Sequence, residues 1–143
     1  DLEGTEMFRM ETVGVADEAS IYVGGSSLYM GNDVSQNVSG AFNIVIGYNA
    51  GTALGNTQQN VLVGSGAGRN QTTGQHNTAI GFRAAVDNQT AGYGVFLGST
   101  AGESLTSGDY NTMLGYASGY NKTSGGTNVF LGAFEWSHTV SYL

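Results

Sequence analysis

Apolar residues in this chain come in short bursts, and from residue 43 onward the bursts are evenly spaced. "NIVIG" at 43 to 47 is followed by "NVLVG", "NTAIG", "GVFLG", "NTMLG" and "NVFLG", with polar stretches rich in Gly, Asn, Thr and Ser between them. Gly47, Gly64, Gly81, Gly98, Gly115 and Gly132 each fall 17 residues after the last. A three-residue burst does not carry the 3.6 period of an amphipathic helix, and a 17-residue unit is too short for a helix-pair repeat. The spacing predicts an all-β fold, a parallel β-roll or β-solenoid of about six 17-residue coils stacked about 4.8 Å apart.

Read in columns, the bursts are apolar on both sides. Side chains alternate along a strand, so Ile46, Val63, Ile80, Leu97, Leu114 and Leu131 point the same way as Ile44, Val61, Thr78, Val95, Thr112 and Val129. Val45, Leu62, Ala79, Phe96, Met113 and Phe130 point the other way. A thin roll has one interior, so one side needs another cover. The middle column, with its two Phe and one Met, is expected to lie outside, covered by copies of the chain. Three-fold closure about an axis parallel to the stack is the economical arrangement, which predicts a homotrimer.

The other columns fit a coil. Ala50, Ala67, Ala84, Ala101 and Ser118 are small enough for a narrow corner, and Gly51, Gly68, Gly102 and Gly119 follow where a turn needs positive φ, with Ala85 as the exception. Asn43, Asn60, Asn77, Asn111 and Asn128 are expected to form a hydrogen-bonded ladder that Gly94 interrupts. Residues 1–33 hold seven of the 11 acidic residues and read as an N-terminal cap or neck. Within them "MFRMETVGV" reads as a strand, and "IYVGG" and "SLYMG" as degenerate copies of the repeat. Residues 34–133 are the repeats, and residues 134–143 depart from them as a C-terminal tip or junction.

The phrases "NTAIGF", "NIVIGY" and "NVFLGA" resemble the repeats of trimeric autotransporter adhesin heads and, more closely, those of bacteriophage tail-fibre proteins. The resemblance covers Asn43 to about Ala133. It implies a homotrimer of left-handed parallel β-rolls at a cell surface or on a virion tail fibre, reaching for and gripping a target. Adhesin heads usually have a shorter repeat, and no heptad stalk or membrane barrel occurs here, which favours the phage-fibre form. The resemblance also makes the end at "HTVSYL" compatible with removal of a self-cleaving chaperone.

Composition narrows the chemistry. Four basic residues and a net charge of -7 exclude a phosphate-backbone partner, since nucleic-acid binding rests on clustered Lys and Arg. No apolar run approaches the roughly 20 residues of a membrane helix, so membrane insertion is not expected. The absence of cysteine removes disulfides and thiolate metal sites. The acids do not recur with the coil, the nonapeptide of calcium β-rolls is missing, and no metal or cofactor is expected.

No catalytic residues are assigned. His76 and His138 lie 62 residues apart with no nucleophile pattern. Asp87 and Glu103 fall at similar points of adjacent coils, where paired-carboxylate chemistry is conceivable, but with Arg69 nearby they read as a surface charge ladder. The triplets at Asn37, Asn70, Asn88 and Asn121 and the Thr72, Thr106 and Thr123 series are accounted for by turn chemistry. The one Trp lies in the tip, and Trp136, His138 and Tyr142, beside Phe134, form the candidate glycan site, where rings stack on sugar faces and polar neighbours take hydroxyls. The same Trp136 also suits a plug over the last coil.

The expected function is a non-enzymatic trimeric fibre or adhesin segment, extracellular, recognising a cell-surface glycan or other receptor. A purely structural spacer is the alternative, and a polysaccharide-cleaving tailspike fragment a more distant one.

Overall fold

The computed structural model describes residues 20–24, 27–31 and 41–133. Eight strands form one sheet in chain order: β1 (Ser20–Gly24), β2 (Ser27–Gly31), β3 (Ile44–Ile46), β4 (Val61–Val63), β5 (Thr78–Ile80), β6 (Val95–Leu97), β7 (Thr112–Leu114) and β8 (Val129–Leu131). From β3 to β8 every pairing is parallel and sets each residue opposite the one 17 positions later, as Val45 opposite Leu62. The fold is therefore an all-β parallel solenoid of about six turns, as the spacing predicts. The expected strand at residues 7–15 lies outside the described residues.

At the amino-terminal end one of the two expected degenerate copies is present and the other is not. β2 stacks parallel on β3, with Leu28 opposite Ile44, and so behaves as a copy of the repeat. β1 pairs antiparallel with β2, Ser20 opposite Gly31. Ser20–Gly24 is thus half of an antiparallel pair at the end of the stack and not a further coil. Only a few residues separate it from β2, and a parallel partner needs a crossover of a dozen or more.

The two sides of the ribbon are the reverse of the sequence expectation. Val45, Leu62, Ala79, Phe96 and Met113 are fully buried within the roll, with Phe130 packed against them. Ile44, Ile80, Leu97, Val129 and Leu131 on the other side are exposed. Steric capacity explains the inversion. A coil with Ala-sized corners takes one bulky side chain per turn from the strand, meeting Leu54 and Leu105 from the returning limb, whereas the flanking columns bring two per turn and need a broader surface.

Phe96 shows how tight this interior is. Its partner on the coil below is Ala79, and a Cβ on Gly94 would run into its ring. Gly94 therefore interrupts the asparagine ladder for a packing reason, and its amide still donates to Asn77 Oδ1 at 2.8 Å. Elsewhere the ladder is as expected. Asn60 N donates to Asn43 Oδ1 at 3.1 Å, Asn77 N to Asn60 Oδ1 at 3.0 Å and Asn128 N to Asn111 Oδ1 at 3.1 Å. The side-chain amides turn inward to carbonyls of the returning limb, as Asn77 Nδ2 does to Ala91 O at 2.7 Å.

The signature glycine is required by close approach as well as by φ. Gly47 to Gly132 all have positive φ, between 113° and 140°, and a Cβ on Gly47 would meet the carbonyl of Gly64 in the next coil. The following corner also has its expected left-handed residue, with φ of 55° at Gly51 and Gly68 and 50° at Ala85. Coil-to-coil hydrogen bonds continue around these corners, as from Gly66 N to Tyr48 O and from Gly68 N to Ala84 O.

Candidate functional site

The solenoid has a dry face and a wet one. The dry face is the outward side of β3 to β8, two aliphatic columns flanked by two columns of larger side chains. The charged residues among those described, Arg69, Arg83, Asp87, Glu103, Asp109 and Lys122, all lie outside the outward columns of β3 to β8. Thr78 and Thr112 are the polar members of the aliphatic columns. The side of the ribbon left outward is therefore that of the columns through Ile44 and Ile46, and the Phe96 column is buried.

On one flank runs the column Phe42, Gln59, His76, Tyr93, Tyr110 and Thr127, every member in the left-handed region with φ between 55° and 63°. Three consecutive rings here stack on one another. The His76 and Tyr93 centroids are 4.6 Å apart with planes 7° from parallel, and Tyr93 and Tyr110 are 5.0 Å and 16°. Inter-coil bonds such as Tyr93 N to Gln75 O at 2.9 Å hold the strained backbone in place. His76, read from sequence as an isolated surface residue, is the first ring of this stack.

On the other flank, just past the signature glycine, runs Tyr48, Ser65, Phe82, Ser99, Tyr116 and Ala133, in which rings alternate with small residues. Tyr48, Phe82 and Tyr116 are 56%, 55% and 64% exposed. Sequence reasoning missed both flanking columns, although writing the chain in rows of 17 displays them.

The wet face is built from the returning limb. Here the charge ladder expected from Arg69 is replaced by a specific pair: Arg83 Nη2 lies 2.7 Å from Glu103 Oε1, and the Glu103 side chain is only 8% exposed. Arg69 shares a column with Glu103 but stands two coils away, with Val86 between them, so it is out of reach. Asp87 Oδ1 instead accepts from Asn70 Nδ2 at 2.8 Å. The two carboxylates considered as an acid pair are thus bound to separate partners, although Asp87 N donates to Glu103 O at 3.1 Å. Thr72 and Thr106 each donate a hydroxyl to the coil above, to Gln89 O at 3.0 Å and Thr123 O at 2.9 Å. Asn88 is fully buried and closes a turn by accepting from Ala91 N at 2.9 Å.

Among the described residues, no three His, Cys, Asp or Glu side chains gather closely enough to hold a metal ion, and no helix is long and apolar enough to cross a membrane. Trp136, His138 and Tyr142, the candidate glycan site, lie outside the described residues, as do Phe134 and Asn37. Compared with known protein families, curated proteins and solved structures, the chain matches none.

Proposed function

We propose that the chain is a non-enzymatic segment of a homotrimeric extracellular fibre, of the kind that serves phage tail fibres and autotransporter adhesin heads, contributing to recognition of a cell surface through its polysaccharide. The observation that carries this reading is the segregation of charge and apolar surface between the two faces. The aliphatic columns run up six coils, about 24 Å at the strand spacing and about 14 Å wide with side chains, on the order of 300 Å² in projection. A contiguous patch of that size is on the scale of the largest apolar patch of a monomer, which is often functional. Copies related by a rotation axis parallel to the stack cover it most simply, because equivalent coils then meet at equal heights and the same columns face one another.

Three-fold closure gives the surface-gripping role its physical basis, since three identical weak sites acting together gain roughly 10²- to 10⁴-fold in avidity. The interface assigned here is the Ile44 and Ile46 side of the ribbon; the Phe96 side is the interior of each roll.

Light scattering on the purified chain tests the assembly. A mass three times the 14.8 kDa of one chain is the expected result, and a species near a single chain's mass overturns it. Leu97→Asp, which sets a carboxylate into the dry face, is expected to give monomers with unchanged far-ultraviolet circular dichroism. A trimer that tolerates Leu97→Asp moves the seam elsewhere. A second reading, a spacer that binds nothing, is favoured by the uniformity of the inter-coil ladders and predicts no retention on any glycan surface.

A further inference from the structure

The two aromatic flanks of the dry face are built differently, and the difference bears on what each can bind. In the His76, Tyr93, Tyr110 column the rings occupy consecutive coils and cover each other's faces. An incoming ligand meets ring edges there. In the other column Ser65 and Ser99 separate the rings, so Tyr48, Phe82 and Tyr116 stand two coils apart, too far to stack on one another, and each is more than half exposed. Two coils are about 10 Å at the strand spacing, close to the two-residue repeat of an extended β-linked polysaccharide.

We infer that Tyr48, Phe82 and Tyr116 form a linear platform for a neutral, extended polysaccharide lying along the stack, one ring per disaccharide. Sugar rings present C–H groups to aromatic faces, and Ser65 and Ser99 stand in the column between the rings, each with a hydroxyl that can donate to or accept from the intervening sugar. Charge selects the class of ligand. Residues 41–133 hold three acids, Asp87, Glu103 and Asp109, and three bases, Arg69, Arg83 and Lys122. With no charged side chain in the ring column or in the strand columns beside it, and Arg83 in the column beyond paired with Glu103, the surface has no free charge with which to hold an anionic polymer. This inference deepens the surface-recognition reading and rests on it for the setting alone. The aliphatic columns serve assembly, and the ring column at their margin serves the ligand.

The test is retention of the intact assembly on insoluble cellulose and on chitin, with soluble alginate as an anionic competitor, for the wild type, Tyr48→Ala, Phe82→Ala, Tyr116→Ala, the triple variant and Trp136→Ala. Retention on either neutral polymer that alginate does not displace is expected. Each single ring removal is expected to weaken binding about fivefold, and the triple variant about a hundredfold, on the energy of one aromatic contact. Masses and circular dichroism are expected to stay unchanged.

Wild-type retention that survives the triple variant and is lost in Trp136→Ala assigns the ligand to the tip and overturns the platform while leaving surface recognition intact. A Phe82→Ala chain that falls apart to monomers overturns it as well, because the ring column then belongs to the seam. No retention of the wild type on any polysaccharide overturns both readings.

Discussion

Replacing Asn60 by Asp exchanges one nitrogen for oxygen at the centre of the buried ladder, and the geometry states what that exchange costs. Asn60 is fully buried. Its Nδ2 donates to Asn43 Oδ1 at 3.1 Å and to Gly74 O at 3.2 Å, while its Oδ1 accepts from Asn77 N at 3.0 Å. Asn60→Ala removes all three bonds, and at about 1 kcal/mol net for each it costs about 3 kcal/mol. Asn60→Asp keeps the bond from Asn77 but turns an anionic oxygen toward two acceptors in a dry setting. Its cost at neutral pH is expected to reach ~4 kcal/mol, toward that of an uncompensated buried charge.

Protonation reverses the order. Burial and the two facing acceptors raise the new carboxyl's folded pKa above its unfolded value near 4. The folded state then binds the proton more tightly, so stability returns as pH falls through the raised pKa and the charge penalty is gone below about 4. Urea unfolding followed by circular dichroism, at fixed protein concentration because assembly couples to folding, is run on both variants from pH 7 to 4. Asn60→Asp is expected to be the weaker at pH 7 and the stronger near pH 4. Two variants whose difference does not change with pH refute the ladder as described.

Gly94→Asn restores the repeat's usual asparagine and is nevertheless expected to destabilise by about 1 to 3 kcal/mol, as overpacking against the Phe96 ring does; adding Phe96→Leu, the size of Leu62, is expected to recover most of the loss, and thermal melts of the four-member cycle check it. Arg83→Met leaves the nearly buried Glu103 carboxylate without its partner and is expected to lower the urea midpoint by roughly 2 kcal/mol equivalent, discounted for the exposure of Arg83. Glu103→Gln, which keeps a hydrogen-bonding oxygen opposite Arg83, is expected to cost less than half of that, and equal losses argue against the pair.

Periodicity alone determined the coil length, the parallel in-register stacking and the glycine, alanine and asparagine columns, because in a solenoid every unit meets the same local constraint and the repeat records the answer many times over. That the ribbon is apolar on both sides was equally legible, since alternation along a strand needs no knowledge of what surrounds it. Which side is interior was a different matter. It depends on the direction in which the chain turns after Gly47 and on Leu54 and Leu105 arriving from the returning limb, so only the closed coil places Phe96 inside and Leu97 outside. The same holds for Gly94, whose missing side chain is explained by a ring two residues away, and for Glu103, which pairs with Arg83 across a corner and not with Arg69 along its own column. Columns are a property of the chain's period; the sidedness of a column, and what reaches across from the next limb, exist only once the chain has closed on itself.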